Sequence, residues 1–82
     1  MTSAARVALV TGGSRGIGRA CACALARTGH AIAFSYLRDR EAALRTSEMA
    51  GASGSEVRFY QADVGDVEAA RGLVTRTIED FG

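Results

Sequence analysis

The chain has 82 residues, of which 48% are hydrophobic, and its formal net charge is +1. Its hydrophobic content excludes a disordered chain, and its charge gives no reason to expect a nucleic-acid or anionic-membrane partner. The length allows one small domain at most, residues 1–82. No apolar run is long enough to cross a bilayer, and the four apolar residues at 7–10 are too few for a secretion signal.

The first predicted element is the strand Val7–Val10, whose unbroken apolar run is typical of a parallel strand covered on both faces. Gly12, Gly16 and Gly18 follow in the order G-x-x-x-G-x-G. They allow a sharp turn, a close approach to a ligand and tight packing of the next helix. Because the first amides of a helix lack intrahelical acceptors and carry the positive end of its dipole, this turn predicts a pyrophosphate site. The alternative is a tight strand-to-helix turn without a ligand.

The first helix is predicted from about Gly16 to Thr28, and Gly29 provides its C-terminal stop. Cys21 and Cys23 are two residues apart on this helix, so they point to nearly opposite sides and form neither a disulfide nor a shared metal site. We interpret them as small helix residues in a reducing cytosol. The helix is expected to bury one apolar stripe, formed by Ile17, Ala20, Cys21, Ala24 and Leu25.

Two further strand–helix units follow with short connections. The continuous strand Ala31–Tyr36 is expected inside the sheet, and a helix begins near Arg40 with Asp39 as its N-cap. The mixed strand Val57–Asp63 is better suited to a sheet edge, and Asp66 is the expected N-cap of the last helix. The buried stripe of that helix is predicted to contain Val67, Ala70, Val74 and Ile78.

The alternation of strands and helices predicts an α/β chain, the N-terminal βαβαβα half of a doubly wound Rossmann fold. Its sheet is parallel, and the fourth strand of such a fold is expected beyond residue 82. Residues 1–82 are therefore interpreted as a single, incomplete domain that binds a nucleotide.

Residues 11–20, Thr-Gly-Gly-Ser-Arg-Gly-Ile-Gly-Arg-Ala, and the pair Asp63-Val64 resemble the short-chain dehydrogenase/reductases, the 3-oxoacyl-[acyl-carrier-protein] reductase branch in particular. The resemblance covers the whole chain. It implies that Asp63 hydrogen-bonds the adenine amino group of NAD(P) and that Val64 packs on the ring. The alternative for Asp63 is a residue that only leads into the next helix. The resemblance also implies contacts to the cofactor's phosphates and adenosine ribose from Gly12, Ser14, Arg15, Gly16, Ile17 and Gly18.

Members of that family continue into a strand that ends in Asn-Asn-Ala-Gly, a catalytic Ser and Tyr-x-x-x-Lys. None of these motifs is present in the 82 residues, and all ten basic residues are Arg. Tyr36 is followed four residues later by Arg40, and Tyr60 by Val64. We therefore expect no catalytic residue and no activity in this chain alone, which we interpret as the cofactor-binding part of a truncated oxidoreductase. The alternative is a non-catalytic nucleotide-binding or regulatory module.

The end of the second strand favours NADP(H) over NAD(H). NAD-preferring folds usually carry an acidic residue about 20 residues past the glycines, whereas this chain has Tyr36 or Leu37, followed by Arg38. Arg15 and Arg38 are predicted to hold a 2′-phosphate. The alternatives are that Arg38 is a solvated residue beside the helix, or that Asp39 brings a carboxylate to the ribose. The resemblance further implies a small carbonyl or alcohol substrate, homo-oligomers and a cytoplasmic location.

Overall fold

The computed structural model describes residues 6–13 and 16–81. Within these ranges three strands alternate with three helices, and the strands form one parallel sheet in the order β1-β2-β3. The predicted βαβαβα arrangement is confirmed, although the third strand ends two residues earlier than expected. The elements are β1 (Val7–Val10), α1 (Gly16–Arg27), β2 (Ala31–Tyr36), α2 (Arg40–Gly51), β3 (Val57–Gln61) and α3 (Val67–Phe81).

The three strands differ in how far they are covered. Every residue of β2 after Ala31 is buried, which confirms its interior place, and β3 lies at an edge as predicted. The expectation that β1 is covered on both faces is wrong, because Val7 and Leu9 remain 41% and 36% exposed. The side chains of Ala8 and Val10 pack against the core beneath α1 and α2, whereas α3 does not reach over the opposite face of β1.

Helix α1 packs on the sheet through its smallest residues. The predicted apolar stripe is wrong: Leu25 is half-buried, its other members are exposed, and Ile17 is 83% exposed. Ala22, Cys23 and Ala26 are buried instead, against a core that includes Ile32 and Phe34. Small side chains face the sheet because they let the helix approach it closely. The opposite orientations predicted for the two cysteines are confirmed, since Cys21 is exposed and Cys23 is buried.

Helix α2 is anchored at its beginning and along its side. Asp39 Oδ1 accepts a hydrogen bond from the Ala42 amide at 3.0 Å, which confirms the predicted N-cap. From α1, Arg19 donates to Thr46 Oγ1 at 2.8 Å and to the Ala42 carbonyl at 3.1 Å. Thr46 is fully buried. These bonds fix α1 against α2 directly after Gly18, the last glycine of the turn.

Helix α3 covers the opposite face of the sheet with fewer contacts. Asp66 Oδ1 accepts a hydrogen bond from the Glu68 amide at 3.0 Å, so the predicted N-cap is confirmed. The predicted buried stripe is wrong, because Leu73 and Thr77 face the sheet instead. Ala70 is half-buried, and Val67, Val74 and Ile78 are 65%, 47% and 64% exposed. The three exposed residues of α3 and two exposed residues of β1 form what we term the β1–α3 apolar surface: Val7, Leu9, Val67, Val74 and Ile78.

The end of α3 is joined to β3 by a partly buried hydrogen bond. The Tyr60 hydroxyl donates to Asp80 Oδ2 at 2.6 Å, and the Arg76 guanidinium lies 4.7 Å from the centroid of the Tyr60 ring. Burial, reinforced by the hydrogen bond to Asp80, raises the pKa of Tyr60 from 10.0 to about 12. The neutral phenol is therefore the form that stabilises the fold.

We expect the free energy of unfolding to fall between pH 10 and 12, because the phenol of unfolded Tyr60 ionises first. The contribution is fully present below pH 10 and amounts to roughly 3 kcal/mol for a shift of this size. Urea unfolding of the full-length gene product across this pH range measures it. Tyr60→Phe should remove the decline and Tyr36→Phe should retain it, and an equal decline in the Tyr60→Phe protein would contradict the assignment.

Candidate functional site

The glycine turn joins β1 to α1 in a conformation that only glycine adopts readily. Gly12 and Gly16 have φ angles of +70° and +66°, in the left-handed region. A Cβ built on Gly18 would lie 2.1 Å from the Gly12 carbonyl oxygen, and one on Gly13 would lie 2.7 Å from Phe34 Cβ. Among residues 6–13 and 16–81, a Cβ on Gly16 would meet nothing within 4 Å. The turn thus packs directly on strand and helix, and no described atom fills the space beside the Gly16 α-carbon.

Ser35 of β2 holds this turn from below. Its Oγ accepts a hydrogen bond from the Gly12 amide at 3.2 Å, and its carbonyl oxygen accepts one from the Gly13 amide at 2.9 Å. Both amides are therefore already hydrogen-bonded within the protein. An anion would instead accept hydrogen bonds from the amides at the start of α1. No acidic residue lies in the first turn of α1 to oppose an anion. Ser14 and Arg15, two of the predicted contacts, lie outside the described residues.

The sequence analysis missed Ser35. The available signal was a polar side chain within an otherwise apolar, continuous strand, and the structure shows that this side chain is only 1% exposed. A buried hydroxyl requires a hydrogen-bond partner. The sequence offers no means of identifying that partner as Gly12, which lies 23 residues earlier.

A cavity of about 90 Å³ opens beside the turn, at the carboxyl ends of the strands. Parallel strands end at the same edge of a sheet, so this edge collects the loops that follow all three. The structure thereby brings Gly12 together with Asp63 and Val64. The lining residues are Gly12, Ser35, Tyr36, Leu37, Ala62, Asp63 and Val64.

Asp63 and Val64 begin the loop from β3 to α3. Asp63 Oδ1 accepts a hydrogen bond from the Gly65 amide at 3.0 Å, and the Asp63 carbonyl accepts one from Asp66 at 3.0 Å. Asp63 thus shapes the approach to α3, while its Oδ2 has no hydrogen-bond partner within residues 6–13 and 16–81. Val64 is 43% exposed beside it. The pair therefore offers one carboxylate oxygen and one apolar surface at the mouth of the cavity.

Of the three charged residues that follow β2, two make contacts within the protein and one is exposed to solvent. Arg40 donates to the Tyr36 hydroxyl at 3.3 Å and lies 5.2 Å from the Phe59 ring centroid. Asp39 caps α2. Arg38 is exposed, and its guanidinium makes no hydrogen bond or ion pair within the part of the chain that the structure describes. Of these three charged side chains, only that of Arg38 is left to meet a ligand.

Other features of the described residues offer no comparable site. Two larger concavities, of about 350 and 560 Å³, border the β1–α3 apolar surface and are lined almost entirely by apolar atoms. Across residues 6–13 and 16–81 no three His, Cys, Asp or Glu side chains are grouped to hold a metal ion. None of the helices described there has the length and apolar character needed to span a membrane.

Comparison with known proteins identifies the family. Residues 6–82 match the family described as short chain dehydrogenase. Versicolorin reductase 1 of Aspergillus parasiticus is 46% identical over 77 residues, which cover 94% of this chain and 29% of the relative. The 3-oxoacyl-[acyl-carrier-protein] reductase FabG of Staphylococcus aureus is 37% identical over 75 residues, covering 92% and 30%. The structure of an NAD⁺-bound xylitol dehydrogenase matches with a TM-score of 0.87 and 40% identity, covering 94% and 29%.

The chain spans about 30% of the length of these relatives. The match includes both predicted motifs, the glycine turn and the Asp63-Val64 pair, and the fold around them agrees with that of the xylitol dehydrogenase. The resemblance stated from the sequence is confirmed: this chain belongs to the short-chain dehydrogenase/reductase family of oxidoreductases.

Proposed function

We propose that residues 1–82 form the incomplete NADP(H)-binding domain of an oxidoreductase that transfers hydride between NADP(H) and a carbonyl or alcohol substrate. A 3-oxoacyl thioester is the proposed substrate class, since a 3-oxoacyl-[acyl-carrier-protein] reductase is among the relatives. The observation that carries the proposal is the cavity at the sheet edge, where Gly12 meets Asp63 and Val64 beside an open helix start.

The residues present fit a dinucleotide. Gly16 leaves space in front of α1 that a side chain would narrow, and the helix dipole there favours a pyrophosphate. The proposed phosphate and ribose contacts run from Gly12 through Ser14, Arg15 and Gly16 to Ile17 and Gly18. The exposed Ile17 side chain, at the start of α1, is free to pack against a ligand.

The adenine is proposed to lie in the cavity between β2 and the loop after β3. Asp63 Oδ2 would accept a hydrogen bond from the adenine amino group, while Oδ1 keeps its bond to Gly65. Val64 would pack against one face of the ring. This arrangement uses the carboxylate both to shape the loop and to bind, so the two interpretations of Asp63 are compatible.

The preference for NADP(H) is proposed to come from Arg38. The carboxylate that would otherwise reach the ribose belongs to Asp39, and it caps α2. Arg40 is engaged with Tyr36 and Phe59, so Arg38 is the guanidinium on this loop that remains for a 2′-phosphate. A charge-assisted contact of this kind contributes about 1.5–3 kcal/mol.

The bound cofactor supplies the hydride, and the role proposed for this chain is to bind and orient it. The hydroxyls of its two tyrosines contact Asp80 and Arg40, and the sequence contains no Lys to assist either of them. We therefore propose that the proton donor comes from outside residues 1–82. We further propose that the whole protein is a cytoplasmic homo-oligomer that acts without nucleic acid or membrane.

Replacing Arg38 tests the proposed cofactor. We expect the full-length gene product to bind NADP⁺ at least about tenfold more tightly than NAD⁺, and Arg38→Ala to remove most of that preference. Titration of both nucleotides by calorimetry measures this. Arg27→Ala, which removes the guanidinium at the far end of α1, is the matched control and should keep the preference.

Two results would contradict the proposal. Equal or tighter binding of NAD⁺ to the unmodified protein would assign it the cofactor of the xylitol dehydrogenase neighbour instead. An unchanged preference in the Arg38→Ala protein would return Arg38 to the role of a solvated residue beside α2. Failure to bind either nucleotide would contradict the dinucleotide site itself.

A further inference from the structure

Ser35 is a buried polar residue of β2 that takes no part in the proposed binding contacts. It is 1% exposed, and the face of β2 on which it lies otherwise carries the buried Ala33. Both of its hydrogen-bonding oxygens accept from the glycine turn: Oγ from the Gly12 amide and the carbonyl oxygen from the Gly13 amide. A single residue therefore contacts two consecutive peptide groups of the turn.

Those two peptide groups flank the α-carbon of Gly12. The orientations of the peptide planes on either side of a residue define its φ and ψ, so the two oxygens of Ser35 together hold Gly12 in its left-handed conformation. The bond to Gly13 involves only backbone and would exist with any residue at position 35. The bond to Gly12 requires a hydroxyl, and it fixes the plane that determines φ.

The conformation of Gly12 in turn determines where α1 begins. The Gly12 carbonyl oxygen lies against Gly18, so closely that a Cβ built there would be 2.1 Å away. On the other side of the turn, Gly13 packs on the Phe34 side chain. Rotation about the N–Cα bond of Gly12 moves its carbonyl group relative to β1. A change in φ at Gly12 would therefore push on the first turn of α1, whose amides are the proposed phosphate donors.

We propose that the Ser35 hydroxyl is a positioning residue for the nucleotide: through Gly12 and Gly18 it sets the phosphate-binding amides of α1. This role rests on the nucleotide-binding function proposed above. Ser35 acts on the turn from beneath, and Ser35→Ala keeps the strand, the Gly13 bond and the surrounding packing. The effect of the substitution should therefore appear at Gly12 and in nucleotide affinity.

Amide hydrogen exchange of the full-length gene product, labelled with ¹⁵N-glycine and free of nucleotide, tests the first step. We expect the Gly12 amide to exchange about tenfold faster in the Ser35→Ala protein, while the Gly13 amide is unchanged because its acceptor is a backbone carbonyl. NADP⁺ titration tests the second step, with an expected loss of affinity of about two- to tenfold.

Ser55→Ala is the matched control. Its hydroxyl also makes a long-range hydrogen bond, to the Ala26 carbonyl at 2.9 Å, but at the C-terminal end of α1. Gly12 exchange and NADP⁺ affinity should both remain at their unmodified values in this variant. A Ser55→Ala protein that lost as much affinity as Ser35→Ala would overturn the proposal, since a hydroxyl far from the glycine turn would then have the same effect.

The remaining outcomes separate the positioning role from the proposed function. Unchanged Gly12 exchange in the Ser35→Ala protein, or faster exchange with unchanged affinity, overturns the positioning role alone. Absence of NADP⁺ and NAD⁺ binding to the unmodified protein overturns the proposed function, whatever the exchange rates are. If Ser35→Ala does not fold, the exchange rate of the Gly12 amide in the unmodified protein tests the proposal instead. A Gly12 amide that exchanges as fast as that of an unstructured chain would contradict the hydrogen bond to Ser35 and overturn the positioning role.

Discussion

Replacing Gly18 with alanine is expected to abolish nucleotide binding and to destabilise the fold. The new Cβ would lie 2.1 Å from the Gly12 carbonyl oxygen, 2.8 Å from its carbon and 3.0 Å from Gly13 Cα. All three are backbone atoms, so no side-chain rotation relieves the overlap and α1 must move away from the turn. We expect the free energy of unfolding to fall by about 2–3 kcal/mol, as for other overpacked sites.

The displaced helix start should weaken NADP⁺ binding more than about hundredfold, because it carries the proposed phosphate donors. Denaturant unfolding and nucleotide titration of the full-length gene product measure the two effects. Gly72→Ala is the matched control within α3, where an added Cβ meets no described atom within 4 Å. It should stabilise the protein by up to about 1 kcal/mol through helix propensity and leave binding unchanged. A folded Gly18→Ala protein with nearly normal affinity would contradict the close contact.

The 82-residue chain, produced on its own, is expected to self-associate and to unfold without a sharp transition. The β1–α3 apolar surface exposes Val7, Val74 and Ile78 by 41%, 47% and 64%. Beside it, β1 pairs only with β2 within the part of the chain that the structure describes, so its outer hydrogen-bonding groups are available to another copy. An apolar surface next to an open strand edge favours association.

Size-exclusion chromatography with light scattering and a thermal scan test this expectation. Ile78→Glu should reduce association by placing a charge on the β1–α3 apolar surface. Met49→Glu, at an exposed position of α2 away from that surface, should not. Nucleotide at a hundredfold excess over its dissociation constant should add only about 2.7 kcal/mol of stability. A soluble monomer with one cooperative transition in the absence of nucleotide would contradict the prediction.

The order and type of the elements, and the ends of the helices, were determined by the sequence itself. Asp39, Asp66 and Gly29 act within a few residues of their own positions, through capping bonds and a positive φ, so their roles depend on local chemistry. The same is true of the glycine turn, whose spacing identified it as a candidate phosphate site. The interior position of β2 was predictable because its apolar run continues without alternation.

Only the tertiary structure decided which side of each helix is buried. In α1 the larger apolar residue Ile17 is exposed and Ala22 is buried, because the approach to the sheet selects small side chains. In α3 the sequence offers two apolar faces, and the packing of Leu73 rather than Val74 depends on where the sheet ends. The buried face of each helix depends on contacts with residues distant in sequence, so the periodicity of apolar residues alone does not predict it.

In the candidate site, too, some features were predictable from the sequence and others depended on the tertiary structure. Its motif residues were visible in the sequence, whereas the meeting of Gly12 with Asp63 follows from the parallel order of the strands. The availability of Arg38 became clear only when Asp39 and Arg40 were seen to be engaged elsewhere. The support of the turn by Ser35 is a contact between β2 and the turn that follows β1, and only the folded sheet brings these two segments together.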